Sequence, residues 1–127
     1  MVEFTGSEPI YVQIARDLRE QILTGSLPEG AQVMSTTAYA TTYRINPATA
    51  AKAFAQLVDE GLLEKRRGVG MFVTSGARQQ LRDGGRTDYR NTVLKPALSK
   101  GLALGLTAEE LTEHVTDAIH ELQEESR

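Results

Sequence analysis

Ile10, Ile14, Leu18 and Ile22 recur every four residues, with Arg16, Asp17, Arg19 and Glu20 lying off that stripe. This pattern predicts an amphipathic helix. Ser7 supplies a capping hydroxyl, Pro9 falls in the first turn and Gly25 closes the helix. The "SLPEG" that follows places Pro28 and Gly30 for a type I turn. A shorter helix is predicted from Ser35, whose hydroxyl can cap the amides ahead, with Tyr39, Ala40 and Tyr43 turned inward. Asn46-Pro47 then starts a third helix as cap and first-turn proline. Ala50, Phe54, Leu57 and Val58 give that helix a core face at i, i+4, i+7, i+8. Its other face carries Ala48, Thr49, Lys52, Ala55 and Gln56, and Gly61 ends it.

The period then changes. Leu62-Leu63 begins a strand, Arg67-Gly68-Val69-Gly70 forms a tip, and Met71 to Thr74 returns as a second strand. Residues 76–86 read as a polar, glycine-marked connection, weakest at Gly84-Gly85, with a helical turn around Arg78 to Arg82. A long helix is predicted from about Thr87 to Leu104. Pro96 removes one of its hydrogen bonds and should bend it, and Gly105 breaks it. Thr107-Ala108-Glu109-Glu110 is a capping box. The last helix is expected to bury Leu111, Val115, Ala118, Ile119 and Leu122.

Composition narrows the reading. The 127 residues are 40% hydrophobic and 24% charged, ordinary for a globular chain. There is no cysteine, so neither a disulfide framework nor thiolate chemistry is available. No signal peptide or membrane-length apolar run is visible, which predicts a cytoplasmic protein without membrane contact. Net charge is −3. A nucleic-acid role therefore needs a local basic patch, and Lys65-Arg66-Arg67 at the hairpin tip supplies one.

Helix, helix, tight turn, helix and a basic hairpin make a winged helix-turn-helix. The third helix has the inventory that major-groove entry requires: a slim N-terminal end, small side chains and amides that can meet phosphate. The glycine tip can lie along the DNA backbone or in the minor groove. The fold expected is mostly α with a small β-hairpin: a winged helix-turn-helix domain over residues 1–75, then a short helical dimerisation region over 76–127.

The stretches "PIYVQIARDLREQILTGSLPEG" and "NPATAAKAFAQLVDEGLLEKRRGVGMFV" strongly resemble the GntR family of bacterial transcription regulators over roughly residues 8–75. The two-helix tail, including "KPALSKGLALGLTAEEL", resembles the YtrA-like branch, which has a small dimerising tail and no large ligand-binding domain. Two positions depart from the family pattern. Thr37 stands where the family carries an arginine that commonly reaches DNA. Ala51 occupies the first basic place of the third helix, leaving only Lys52.

The resemblance implies a DNA-binding transcription regulator, a repressor by family habit, acting as a homodimer on a palindromic operator. The candidate DNA-binding residues are Ser35, Thr36, Thr37, Arg44, Asn46, Pro47, Thr49 and Lys52, with Lys65, Arg66, Arg67, Gly68 and Gly70 in the wing. The candidate dimer residues are Val93, Leu94, Ala97, Leu98, Leu102, Leu111, Val115, Ile119 and Leu122. Tyr11 is read as packing or as a phosphate contact. Tyr89, Val93 and Ala97 could instead line an effector pocket. No cofactor or metal is expected, and a small-molecule effector of unknown identity is left open. The alternative function is a protein-interaction adaptor on the same scaffold. No nucleophile–base–orienter set is present, so an enzyme is not expected.

Overall fold

The computed structural model describes residues 6–126, and the chain falls into two compact units that divide between Gly84 and Gly85. In the first unit, α1 (Ile10–Thr24) buries Ile14, Ala15, Leu18 and Ile22, while Ile10 stays exposed at the open end of the stripe. Ser7 does not cap this helix. Pro9 holds the N-cap position without a side-chain hydrogen bond, and its carbonyl accepts from Val12 N–H at 3.1 Å. The "SLPEG" turn also departs from expectation. Its hydrogen bond runs from Ala31 N–H to Pro28 O at 3.1 Å, so Gly30 sits third in the turn with φ +82°. A type I turn has negative φ there, and glycine is what allows the positive value.

Ser35 caps α2 (Thr36–Tyr43) through Ala38 N–H at 3.1 Å. Asn46 caps α3 (Pro47–Asp59) through Ala48 N–H at 2.8 Å. The core face of α3 is Ala50, Ala53, Phe54 and Leu57; Val58 is only half-buried, packed against the core's edge. Tyr39 of α2 stacks edge-on to Phe54, its centroid 5.4 Å away, and lies 4.5 Å from the ring of Tyr43. Its hydroxyl is buried without a hydrogen-bond partner. Burial first, then the charges of Asp17 and Tyr43, pushes the Tyr39 phenol well up.

The expected hairpin is the larger part of a three-stranded antiparallel sheet. The hairpin strands β2 (Leu63–Arg66) and β3 (Gly70–Val73) are joined by a two-residue strand, β1 (Gln32–Val33), in the order β1-β3-β2. The register pairs Leu63 with Val73 and Val33 with Met71, and these pairs face the core. The opposite face carries Gln32, Phe72, Glu64 and Arg66, as the two-residue period requires.

The polar connection after the wing is a helix rather than a loop: α4 spans Ala77–Tyr89, through both Gly84 and Gly85. Its first turns are docked on the winged unit. Ala77 is buried, Leu81 packs on the core, Arg78 Nε donates to Leu23 O at 2.9 Å and Gln80 Nε2 donates to Glu60 O at 2.8 Å. Those contacts offset the roughly 1 kcal/mol that each glycine costs a helix.

In the second unit, a π-helical turn at Arg90–Leu94 leads into α5 (Lys95–Ala103). Pro96 has no N–H to give to Thr92 O, and its ring crowds that carbonyl, so the backbone widens by a residue ahead of it. Gly105 follows α5 with φ +87°. Thr107 and Glu110 form the capping box of α6 (Ala108–Glu125), with bonds of 3.1 and 3.0 Å. Hydrogen bonds from the Thr107 backbone and hydroxyl hold the Glu110 carboxyl below its usual range. The core expected along α6 is not closed within the chain. Leu111 is half-buried, while Val115, Ala118, Ile119 and Leu122 are exposed. Two helices, one of them nine residues long, cannot cover that stripe.

Candidate nucleic-acid interface

The turn between α2 and α3 is built from backbone outward. Arg44 adopts φ +54°, the one non-glycine positive φ among the described residues, and closes α2. Ile45 N–H returns to Ala40 O at 2.9 Å, and Asn46-Pro47 then start α3 at once. This geometry puts the first turn of α2 and the first half of α3 on one supersecondary unit. Ser35 and Thr37 are exposed at the start of α2, and Thr36 is half-buried. Arg44, Asn46 and Pro47 are exposed at the junction.

The side of α3 away from Phe54 is bare. Ala48, Ala51, Lys52 and Ala55 are exposed, and Thr49 is half-buried. Lys52 is the only cation on this helix. Its ammonium does not project freely: Nζ lies 4.0 Å from the centroid of the Tyr11 ring in α1. Tyr11 thus does more than pack, since it holds the one positive charge of α3 by a cation–π contact. Spacing could not reveal this contact, because it joins residues 41 positions apart. Tyr11 at the start of α1 was visible in the sequence, but its partner was not.

The wing carries its charges unequally. Val69 N–H closes the tip onto Arg66 O at 2.9 Å, and Gly68 takes φ +77°. Arg66 is held back on the outer sheet face, its Nη2 2.8 Å from Glu64 Oε1 and its Cζ 4.1 Å from the centroid of the Phe72 ring. Lys65 and Arg67 are exposed, with no ion pair among the described residues. Gln32 steadies the tip from β1: its Nε2 donates to Val69 O at 3.0 Å across Gly70. A Cβ on Gly70 would stand 2.5 Å from that nitrogen, and φ there is +141°. Gly70 is therefore fixed by Gln32 as well as by the turn, a reason the sequence did not disclose.

In the second unit, Leu94, Leu98, Leu102, Leu111 and Val115 line one largely apolar groove of about 450 Å³. Val93, Ala97, Ile119 and Leu122 are exposed outside it. Gly101 lets α5 and α6 approach, since a Cβ there would come 2.5 Å from Leu111 Cδ2. Tyr89 is exposed and does not line that groove, and Val93 and Ala97 do not either. His120 Nε2 lies 3.4 Å from Glu124 Oε1, one helical turn on, and no described His, Cys, Asp or Glu residues group so as to hold a metal. No described helix is long and apolar enough to cross a membrane.

Comparison with known proteins places this geometry. The profile of the "Bacterial regulatory proteins, gntR family" matches residues 10–73. The HTH-type transcriptional repressor YtrA of Bacillus subtilis is 32% identical over 111 residues, covering 87% of this chain and 85% of that protein. A GntR family transcriptional regulator from Listeria monocytogenes superposes with a TM-score of 0.68 at 26% identity, covering 90% of this chain and 98% of the other. The DNA-binding domain of AraR, solved in complex with operator ORX1, matches with a TM-score of 0.54 at 25% identity, over 58% of this chain and 95% of that domain.

Proposed function

The chain belongs to the gntR family of bacterial regulatory proteins, in its YtrA-like branch, and from that premise we propose that it is a repressor that binds a palindromic operator as a homodimer in the cytoplasm. DNA-binding transcription regulation, rather than enzymatic work, is the activity of the family. The winged unit, residues 1–75, is the DNA reader, and residues 76–127 join two copies.

The observation that carries the reading is the bare, capped N-terminal half of α3. Such an end can slide into a major groove with its amides toward phosphate. Thr36, Thr37 and Thr49 offer hydroxyl or methyl contacts to base edges. Arg44 and Lys52, with Lys65 and Arg67 of the wing, supply charge toward the DNA backbone. Ser35, Asn46 and Pro47 build the helix starts, and Gly68 and Gly70 allow close approach at the tip. Arg66 joins them only by leaving Glu64. The dimer contact uses the apolar residues of the π-helical turn, α5 and α6, from Val93 through Leu98 to Leu122. Repression is what the YtrA relative's name states, and it transfers here as part of the proposal.

The test is selection of binding sites from a random duplex library. Two half-sites about 10 base pairs apart, related by a two-fold axis, are the expected outcome. A single unpaired half-site, or no enrichment at low salt, would overturn the reading. In the same assay Thr37→Arg should add a guanine preference worth roughly 1–3 kcal/mol in each half-site. An unchanged motif would mean that Thr37 does not face the bases.

A further inference from the structure

A second charged site lies on elements that the DNA reading does not use. A cleft of about 360 Å³ opens between the C-terminal end of α1, the Pro28–Ala31 turn and the first turns of α4. Its lining combines Ile22, Gly25 and Pro28 with Glu29, Arg78, Gln79 and Arg82.

The three charges are not equivalent. Arg78 is anchored through Nε to Leu23 O, which leaves Cζ, Nη1 and Nη2 over Gly25, each 3.8 Å from where a Cβ would stand. The Glu29 carboxylate is engaged at the start of α4, where Oε1 faces the Arg78 backbone N–H at 3.4 Å. A carboxylate in that place suits the positive end of a helix. Arg82 follows Arg78 at i+4, on the same face of α4. No hydrogen bond or ion pair among the described residues engages its side chain. Two guanidinium groups therefore share a partly apolar cleft with one carboxylate that already serves the helix.

We propose that this cleft binds a small organic anion, with its acid group held by Arg78 and Arg82 and its apolar part resting on Ile22 and Pro28. Planar guanidinium forks match both carboxylate and phosphate oxygens. The volume stands at the lower end for small-molecule sites, so the ligand is metabolite-sized.

The site is wired to the wing. Gly30 N–H donates to Val73 O and Val73 N–H donates to Ala31 O, both at 2.9 Å. The next residue, Gln32, holds the tip carbonyl of Val69. An anion held by the Arg78 guanidinium beside Glu29 repels that carboxylate, so it acts on a turn hydrogen-bonded to β3. Occupancy of the cleft thereby biases the wing tip.

The experiment is a titration of the full chain without DNA, followed by backbone amide NMR. Sodium phosphate and sodium acetate are each run against sodium chloride at equal ionic strength. Saturable shifts at Glu29, Gly30 and Gln79 are expected with phosphate, acetate or both, which assigns the ligand as a phosphate ester, a carboxylate or either. Arg82→Gln leaves the Arg78–Leu23 bond in place and should weaken binding about tenfold or more, since hydrogen bonds to charged groups contribute that much. Shifts no larger than those with chloride, or equal affinity in Arg82→Gln, would overturn the site. Saturation of the cleft with no movement at Val69 and Gly70 would overturn its link to the wing. Because no DNA is present, neither result depends on the operator reading.

Discussion

Phe54 in α3 is 1% exposed, whereas Leu122 in α6 is 61% exposed. Both lie on helices with apolar residues at three- and four-residue spacing, and the sequences alone do not separate them. The difference lies in what surrounds each stripe. Around Phe54 stand α1, α2 and the sheet, and each is tied locally by a cap, a turn or a strand pair. The stripe of α6 packs against the short α5, close at Gly101 and Leu111, and Val115, Ile119 and Leu122 stay exposed. Contiguous exposed apolar surface marks an interaction site in a soluble chain. One unit is thus finished by its own sequence, and the other leaves an apolar stripe exposed.

The harshest way to break this comparison is to cut the finished core. Phe54→Ala removes a buried ring that also meets Tyr39 edge-on. The loss should be about 3–5 kcal/mol, and it should not depend on protein concentration. Denaturant melts at two concentrations check both points. If the loss falls below about 1 kcal/mol, the first unit does not rest on that core.

The opposite substitution addresses the unfinished unit. Ile119→Glu places a charge on a side chain that is already 51% exposed in the single chain. The fold of one chain should hardly notice, while assembly should be abolished. Sedimentation should then report a monomer with unchanged helical circular dichroism. A variant that remains a dimer would assign the contact to another face.

These two cases also show how far the sequence could be read. The stripes of α1 and α3 and the caps at Ser35, Asn46 and Thr107 are local, and they lie where the pattern put them. Strand β1 escaped notice because two residues carry no period, and only pairing with β3 makes Gln32–Val33 a strand. Of helix α4 only a turn around Arg78 to Arg82 was read, because Gly84-Gly85 argue for a break. Docking through Ala77, Arg78 and Leu81, with the Gln79–Asp83 bond of 2.7 Å, outweighs them. In the candidate site the residue types were legible but their pairings were not. Lys52 on Tyr11 is a tertiary contact and Arg66 on Phe72 one of strand pairing. The stripe of α6 was legible both as apolar and as a dimer contact, and in the single chain it is exposed beyond Leu111.

A gentler probe separates charges within the first unit. Replacing Lys65, Arg66 and Arg67 together by alanine should flatten the salt dependence of DNA binding, by just under one unit for each phosphate no longer neutralised. The geometry sharpens that expectation. Arg66 is already paired with Glu64, so Arg66→Ala alone should change the slope less than Lys65→Ala or Arg67→Ala. Equal slopes for all three single variants would mean that Glu64 releases Arg66 on DNA.

The smallest expected effect concerns how the finished unit is stitched at its rim. Arg19 of α1 forms a fork with Glu60 at the end of α3, Nε to Oε1 at 2.9 Å and Nη2 to Oε2 at 2.6 Å. The described ion pair of the second unit, His120 with Glu124, is by contrast an exposed contact within one helix. The hydrogen bonds from Arg19, outweighing the upward push of burial, hold the Glu60 carboxyl below its usual range. A carboxyl lowered in the folded state binds its proton less readily there than in the unfolded chain. Its contribution is therefore present above the unfolded value, about pH 4.3, and is lost as pH falls through the lower folded value. About a third of each side chain is exposed, so solvent screening limits the fork to roughly 1 kcal/mol or less. Arg19→Leu should lower the melting temperature by a few degrees at pH 7, and the gap from the parent should close as the pH is taken below about 4. Glu60→Gln should show the same closing gap from the other partner. A gap that stays constant with pH would mean that Arg19 acts through the packing of its stem along α1 and not through its charge.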